Sequence, residues 1–114
     1  MTEMYAQGDL LIERVEDVEP SGRIISPDAT GALVLAEGEF SGHRHAIVDR
    51  VAMFRDEALA RDVPVGLYVG HVKVVGCSAV VHHQEHAPIT LFEGTYRVRR
   101  QREFEPKDAV IVAD

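Results

Sequence analysis

Apolar and polar residues alternate along most of the chain, in short runs that end at Gly, Pro, Asp or Ser. Alternation with a period of two places successive side chains on opposite faces, as in a β-strand with one buried face. In residues 9–15 (DLLIERV), Leu10 and Ile12 share one face while Leu11 and Val15 share the other. This pattern predicts a half-buried strand near the edge of a sheet.

The same alternation, or a run of β-branched residues, predicts a series of further short strands. They cover residues 23–26, 32–37, 46–54, 66–76, 77–83, 89–94, 95–104 and a last short strand or tail at 108–114. The PDATG sequence at 27–31 predicts a hairpin or a tight loop, since Pro and Gly favour turns. Helix-forming residues at 53–62, followed by Pro64, predict at most one short helix. Short strands at roughly ten-residue spacing are typical of an all-β barrel or sandwich.

Length and composition limit the classes of protein to consider. A chain of 114 residues with 46% hydrophobic residues fits one domain, residues 1–114, with one modest core. The net charge of −7 opposes binding to nucleic acid or to an anionic membrane, which both require excess Lys and Arg. No apolar run approaches the roughly 18 residues of a membrane span, and the first residues are acidic, unlike a signal peptide. A soluble, cytoplasmic protein is therefore expected.

Two groups of histidines carry the candidate chemistry. His43 and His45 are two residues apart, so a strand would project both from one face, together with Asp49. Two imidazoles at this spacing supply half of a tetrahedral shell for a divalent ion such as Zn, Fe, Mn or Ni.

The second group is HHQEH at residues 82–86. If a strand runs through it, His82 and His86 share one face and His83 lies on the other. His86 is the preferred ligand of this group, and either His82 or His83 is the fourth, depending on the register. The sequence therefore predicts a metal site of three or four histidines.

The segment GEFSGHRHAIVD, with Gly38, His43 and His45, resembles the first motif of the cupin superfamily. Asp49 stands where that family normally has Glu. FEGTYR at 92–97 resembles the second motif, with Arg97 in place of its histidine. The resemblance implies a cupin-like β-sandwich that binds a metal. Over most of its length the chain also resembles small uncharacterised bacterial and phage-associated proteins, which implies no known activity.

Two functions are compatible with these patterns. The first is a non-catalytic binding or accessory module that holds a metal and pairs with a protein partner or with itself, as a homo-oligomer. The second is a cupin-like, metal-dependent enzyme acting on a small anionic substrate, with Glu39 as base and Arg97 and Tyr96 as substrate-binding residues. For these three residues the alternatives are a solvated turn carboxylate, an ion pair with the acidic segment 13–19 and a core-edge tyrosine, respectively.

Overall fold

Eleven β-strands make up the regular structure of the described part of the chain. The computed structural model describes residues 2–16, 22–37, 42–57, 68–76, 78–100 and 110–113. The strands are β1 (Thr2–Gln7), β2 (Leu10–Val15), β3 (Arg23–Ile25), β4 (Leu33–Glu37), β5 (Arg44–Ile47), β6 (Ala52–Arg55), β7 (Tyr68–Val74), β8 (Ala79–His82), β9 (Ile89–Leu91), β10 (Gly94–Arg100) and β11 (Val110–Ala113).

The strands form two antiparallel sheets that enclose one core. The larger sheet has the order β11-β1-β2-β10-β7-β6-β3, and the smaller has the order β4-β5-β8-β9. Both sheets contribute to a single apolar cluster, which includes Ile12, Val72 and Val98 from the larger sheet and Ile47 and Val81 from the smaller. The fold is therefore a small β-sandwich. This confirms the all-β prediction, and of the two predicted architectures, barrel and sandwich, the protein has the sandwich.

The predicted strands recur in the structure with three corrections. β2 pairs with β1 on one side and β10 on the other, so it lies inside the sheet and not near an edge. The segment 46–54 belongs to two strands, β5 and β6. Residues 53–55 are part of β6, which corrects the start of the predicted helix, while 58–62 lie outside the described residues. Within the described ranges, no helix is both long and apolar enough to span a membrane.

Two tight connections bring distant parts of the chain to one end of the sandwich. Gly8 and Asp9 form a two-residue turn between β1 and β2, and Gly8 has a φ of 59°, a conformation that favours glycine. The second connection leads from β3 in the larger sheet to β4 in the smaller. It is a loop and not a hairpin, because its two flanking strands belong to different sheets.

Asp28 organises this second connection. Its Oδ1 accepts hydrogen bonds from the backbone N–H of Thr30 and Ala32 and from the Thr30 hydroxyl. Its Oδ2 accepts a 2.9 Å hydrogen bond from Arg44 at the start of β5. These bonds, with that of the Thr30 hydroxyl first, lower the pKa of Asp28 from 3.8 to about 2. The loop therefore ties β5 to its neighbours through one carboxylate.

Replacement of Ile47 tests the packing of β5, a strand of the smaller sheet, against the core between the two sheets. Ile47 is fully buried whereas the next residue, Val48, is 64% exposed. We expect Ile47→Ala to lower the free energy of unfolding by about 2–5 kcal/mol, through lost burial and a residual cavity. Val48→Ala, the matched control, should change it by less than about 0.5 kcal/mol. Urea denaturation measures both, and equal effects would contradict the position of β5.

Acid titration tests the Asp28 loop. Because the pKa of Asp28 is lower in the folded protein than in the unfolded chain, the unfolded state binds the extra proton. The stabilisation is therefore complete above about pH 5 and is lost as the pH falls through about 4 to about 2. Asp28→Asn should be less stable than the unsubstituted protein at about pH 5, and the difference should shrink towards about pH 2. A difference independent of pH would exclude this carboxylate as the cause.

Candidate metal centre

Four histidines gather at the end of the sandwich where the two sheets meet. His43 and His45 lie at the start of β5, and His83 and His86 lie in the connection between β8 and β9. We call His43, His45, His83 and His86 the histidine cluster. The turn at Gly8 and Asp9 approaches them from the larger sheet, and the end of β10 lies behind that turn.

The buried amide of Gln7 connects these elements. Its Nε2 donates to the carbonyl oxygens of Val81 at 3.1 Å and Ala87 at 2.9 Å, one on each side of the loop that carries His83 and His86. A carbonyl oxygen can only accept, so these two bonds fix the orientation of the amide. The other end, Oε1, lies 2.8 Å from Nδ1 of His45. Since Oε1 is an acceptor, Nδ1 of His45 must carry a proton.

The second ring nitrogen of His45 faces a carboxylate. Nε2 lies 3.2 Å from Oδ1 of Asp9, and the ring is 4% exposed. Burial, repulsion from His83 and a smaller contribution from His86 lower the pKa of His45 to about 4, although Asp9 opposes the shift. At neutral pH His45 is therefore neutral, with its one proton on Nδ1. A nitrogen lone pair then points at a carboxylate oxygen with no proton between them.

Asp9 is held in its ionised form from the opposite side. Burial acts to raise the pKa of Asp9, but the charge of Arg100 acts against burial, and the pKa of Asp9 is lowered. Oδ2 of Asp9 accepts a 2.7 Å hydrogen bond from Arg100. The arginine therefore orients the carboxylate so that its other oxygen, Oδ1, faces His45.

The remaining rings of the histidine cluster surround this pair. The ring centroid of His83 lies 4.3 Å from that of His45 and 4.7 Å from that of His86. His45 and His86 are 6.4 Å apart. His43 is further out, 5.8 Å from His83, and its Nδ1 lies 3.2 Å from a carboxylate oxygen of Glu85. Three imidazoles and the carboxylate of Asp9 therefore share one small volume.

His83 and His86 have different surroundings. Nδ1 of His83 accepts the backbone N–H of Glu85 at 3.0 Å, so a neutral His83 carries its proton on Nε2. His86 packs on the turn, since a Cβ placed on Gly8 would lie 2.7 Å from Nε2 of His86. Glycine is therefore required at position 8 both for its positive φ and for this close approach.

Four of the predicted site residues lie away from the cluster. Asp49 accepts a 2.8 Å hydrogen bond from the backbone N–H of Val80. His82 is exposed and is the last residue of β8, so the predicted strand through His86 does not form. Arg97 forms an ion pair with Glu13 on the face of the larger sheet opposite the core. Tyr96 is fully buried and its hydroxyl donates to the Phe92 carbonyl. The structure therefore does not bring these four residues into the histidine cluster.

Glu39, the predicted base, lies outside the described residues. The sequence patterns did not predict three residues of the site, namely Gln7, Asp9 and Arg100. The only signal for Asp9 was the Gly-Asp pair between two apolar segments, which is typical of a two-residue hairpin turn. In residues 97–102, alternation separates Arg97 from Arg100, but it does not tell which of them faces the histidines.

Among the residues that the structure describes, no three His, Cys, Asp or Glu side chains already converge on one point with metal-binding geometry. The pair formed by His45 and Asp9 is in place, while a third ligand requires movement of a neighbouring side chain. The end of the sandwich thus holds one close histidine–carboxylate pair with further imidazoles around it.

The fold and the histidine cluster define a small β-sandwich with a polar, histidine-lined end. The family described as a domain of unknown function, DUF8820, matches residues 6–101, which include every residue of this cluster. The chain belongs to that family. No curated protein and no solved structure matches it significantly.

Replacement of Gln7 tests whether its amide holds the site together. Gln7→Leu removes the hydrogen bonds from Gln7 to two carbonyl oxygens and to the N–H of His45, and each buried polar group left unsatisfied costs about 1–3 kcal/mol. We expect a loss of about 3 kcal/mol or more in the free energy of unfolding. The control Gln84→Leu removes one bond from an exposed glutamine and should cost about 1 kcal/mol or less. Similar losses for both variants would refute the central position of Gln7.

Proposed function

We propose that this protein is a small binding module that holds one divalent metal ion at the histidine cluster. His45 and Asp9 are the first two ligands and His86 is the third. The single observation that carries the proposal is the 3.2 Å approach of His45 Nε2 to Asp9 Oδ1. When His45 is neutral with its proton on Nδ1, these two atoms are both lone-pair donors. A cation between these atoms removes their mutual repulsion.

The separation of the two atoms matches that of neighbouring metal ligands. Zn–N and Zn–O distances of about 2.0–2.1 Å at tetrahedral angles place adjacent ligand atoms about 3.3 Å apart. Nε2 of His45 and Oδ1 of Asp9 are 3.2 Å apart before any movement. An ion on the side of both atoms that faces His86 therefore meets two ligands at ordinary bond lengths.

His86 supplies the third ligand from the loop between β8 and β9. Imidazoles on one tetrahedral ion have ring centroids about 5 Å apart. The centroids of His45 and His86 are 6.4 Å apart and their rings are nearly parallel, so His86 must move by about 1 Å and reorient its ring to reach the same ion. His83 lies close to both rings, but its Nε2 carries the proton and its Nδ1 accepts from Glu85, so neither nitrogen offers a lone pair to the ion.

The residues behind the ligands favour the same assignment. Metal-bound histidines almost always donate their second N–H to an oxygen acceptor, and ligating carboxylates are themselves hydrogen-bonded. Gln7 accepts from Nδ1 of His45, and Arg100 donates to the second oxygen of Asp9. Two nitrogen ligands and one oxygen ligand suit Zn, Fe, Mn or Ni better than a metal that prefers thiolates.

A metal-dependent enzyme is the second candidate, and the observation that favours it is the donor set of His45, His86 and Asp9. Two histidines and one carboxylate with open positions are also the ligand set of non-haem iron oxygenases. Exchangeable water on the bound ion would favour this candidate, and a closed shell would favour the module. The cupin relationship, the bacterial or phage origin, the cytoplasmic location and the self-association stay predictions.

Titration calorimetry of the untagged, metal-free protein with Zn²⁺ tests the proposal. We expect about one equivalent to bind. His45→Ala and Asp9→Asn each remove a ligand, so the affinity should fall by more than the 10–100-fold that outer-shell changes cause. His82→Ala is the matched control, since it removes an exposed histidine outside the cluster and should leave the affinity unchanged.

Two results would contradict the proposed site. Absence of binding by the folded, unsubstituted protein would remove the metal altogether. Equal loss of affinity in His82→Ala and His45→Ala would indicate adventitious binding by surface histidines. Circular dichroism of each variant establishes that it has folded before its affinity is compared.

A further inference from the structure

An open pocket of about 230 Å³ lies beside the histidine cluster. Its lining residues are Arg44, Ala46, His82, His83 and Gln84. Ala46 alternates with the core-facing Ile47 along β5, and its strand partner is His82. The pocket is therefore on the outer surface of the smaller sheet, and only His83 belongs both to its wall and to the histidine cluster.

The wall of this pocket is rich in hydrogen-bond donors. Oε1 of Gln84 accepts the backbone N–H of Arg44 at 2.9 Å, which fixes the amide so that Nε2 presents its two N–H groups elsewhere. His83 carries its proton on Nε2, because its Nδ1 accepts the N–H of Glu85. The guanidinium of Arg44 gives one nitrogen to Asp28 and retains further N–H groups. None of the five lining side chains carries a carboxylate.

The floor of the pocket is open because residue 46 is small. Ala46 lines the pocket with a single methyl group, so its side chain takes up little of that space. At about 30 Å³ per water molecule, a volume of about 230 Å³ equals that of about eight waters. This is the size of a small organic acid or a phosphate ion with part of its hydration shell.

We propose that the pocket binds a small ligand that presents carboxylate or phosphate oxygens. Arg44 supplies the charge-assisted hydrogen bonds that such oxygens accept, and Gln84 and His83 supply neutral ones. In a protein with a net charge of −7, a pocket lined by donors without a carboxylate departs from the overall charge pattern. This inference goes beyond the proposed metal site and does not depend on it.

Nuclear magnetic resonance titration of the metal-free protein in a chloride buffer without chelator tests the inference. The probes are inorganic phosphate, succinate and the uncharged analogue succinamide. We expect saturable shifts in the backbone signals of residues 44–46 and 82–84 with phosphate, with succinate or with both. Tighter binding of phosphate would identify phosphate oxygens as the recognised group, and tighter binding of succinate would identify carboxylate oxygens. Succinamide should produce at least about tenfold weaker binding, since it lacks the charge.

Two variants and one control locate the site. Ala46→Met fills the space above the floor without removing a hydrogen bond, and Arg44→Met removes the cation. Each should weaken binding by about tenfold or more. Arg23→Met is the matched control, because Arg23 is also a surface arginine paired with a carboxylate, that of Glu57. It should bind the probes like the unsubstituted protein.

Three outcomes would overturn the inference. They are no saturable shift with either anion, equal affinity for succinamide, and equal weakening by Arg23→Met and Arg44→Met. The titration of the unsubstituted protein decides the first two even if a variant fails to fold. Because no metal is present, failure of this pocket and failure of the metal site are separate results.

Discussion

The buried amide of Gln7 is the constraint on which the arrangement at this end of the sandwich depends. One side chain of the larger sheet donates to two carbonyl groups of the smaller sheet and accepts from His45. Gln7 is fully buried, so its amide has no water as an alternative partner. The same three hydrogen bonds position the loop of His83 and His86, orient β5 and favour the Nδ1–H tautomer of His45.

The electrostatic consequence follows from that tautomer. With the proton on Nδ1, the lone pair of His45 faces Asp9, and burial prevents the ring from gaining a second proton near neutral pH. Arg100 keeps Asp9 ionised and holds its far oxygen. A protein interior rarely leaves two electron donors opposed in this way, because the repulsion is strong where water is excluded. A bound cation resolves it, and this is the physical basis of the proposed module.

The sequence predicted the sandwich well and the site in part. Period-two alternation places Leu10, Ile12, Val72 and Val98 in the core, because burial on one face is a local property of each strand. The same rule placed His45 in the cluster but left His82 and His83 as alternatives, because the register of the strand was open, and β8 ends at His82. Residues 9, 45 and 100 are brought together by sheet pairing and by the packing of one sheet on the other, which no local pattern reveals. For that reason alternation did not show that Arg100, and not Arg97, lies beside Asp9.

The central claim is that His45 is a neutral imidazole protonated on Nδ1, with Nε2 available to a metal. Nitrogen-15 correlation spectra of the histidine rings in the metal-free protein at neutral pH measure this state directly. The account predicts that His45 shows the Nδ1–H tautomer and that Zn²⁺ then shifts the Nε2 resonance while Nδ1 keeps its proton. An imidazolium at His45, or a proton on Nε2, would contradict it, since either state supplies the hydrogen that Asp9 accepts and leaves no place for a cation.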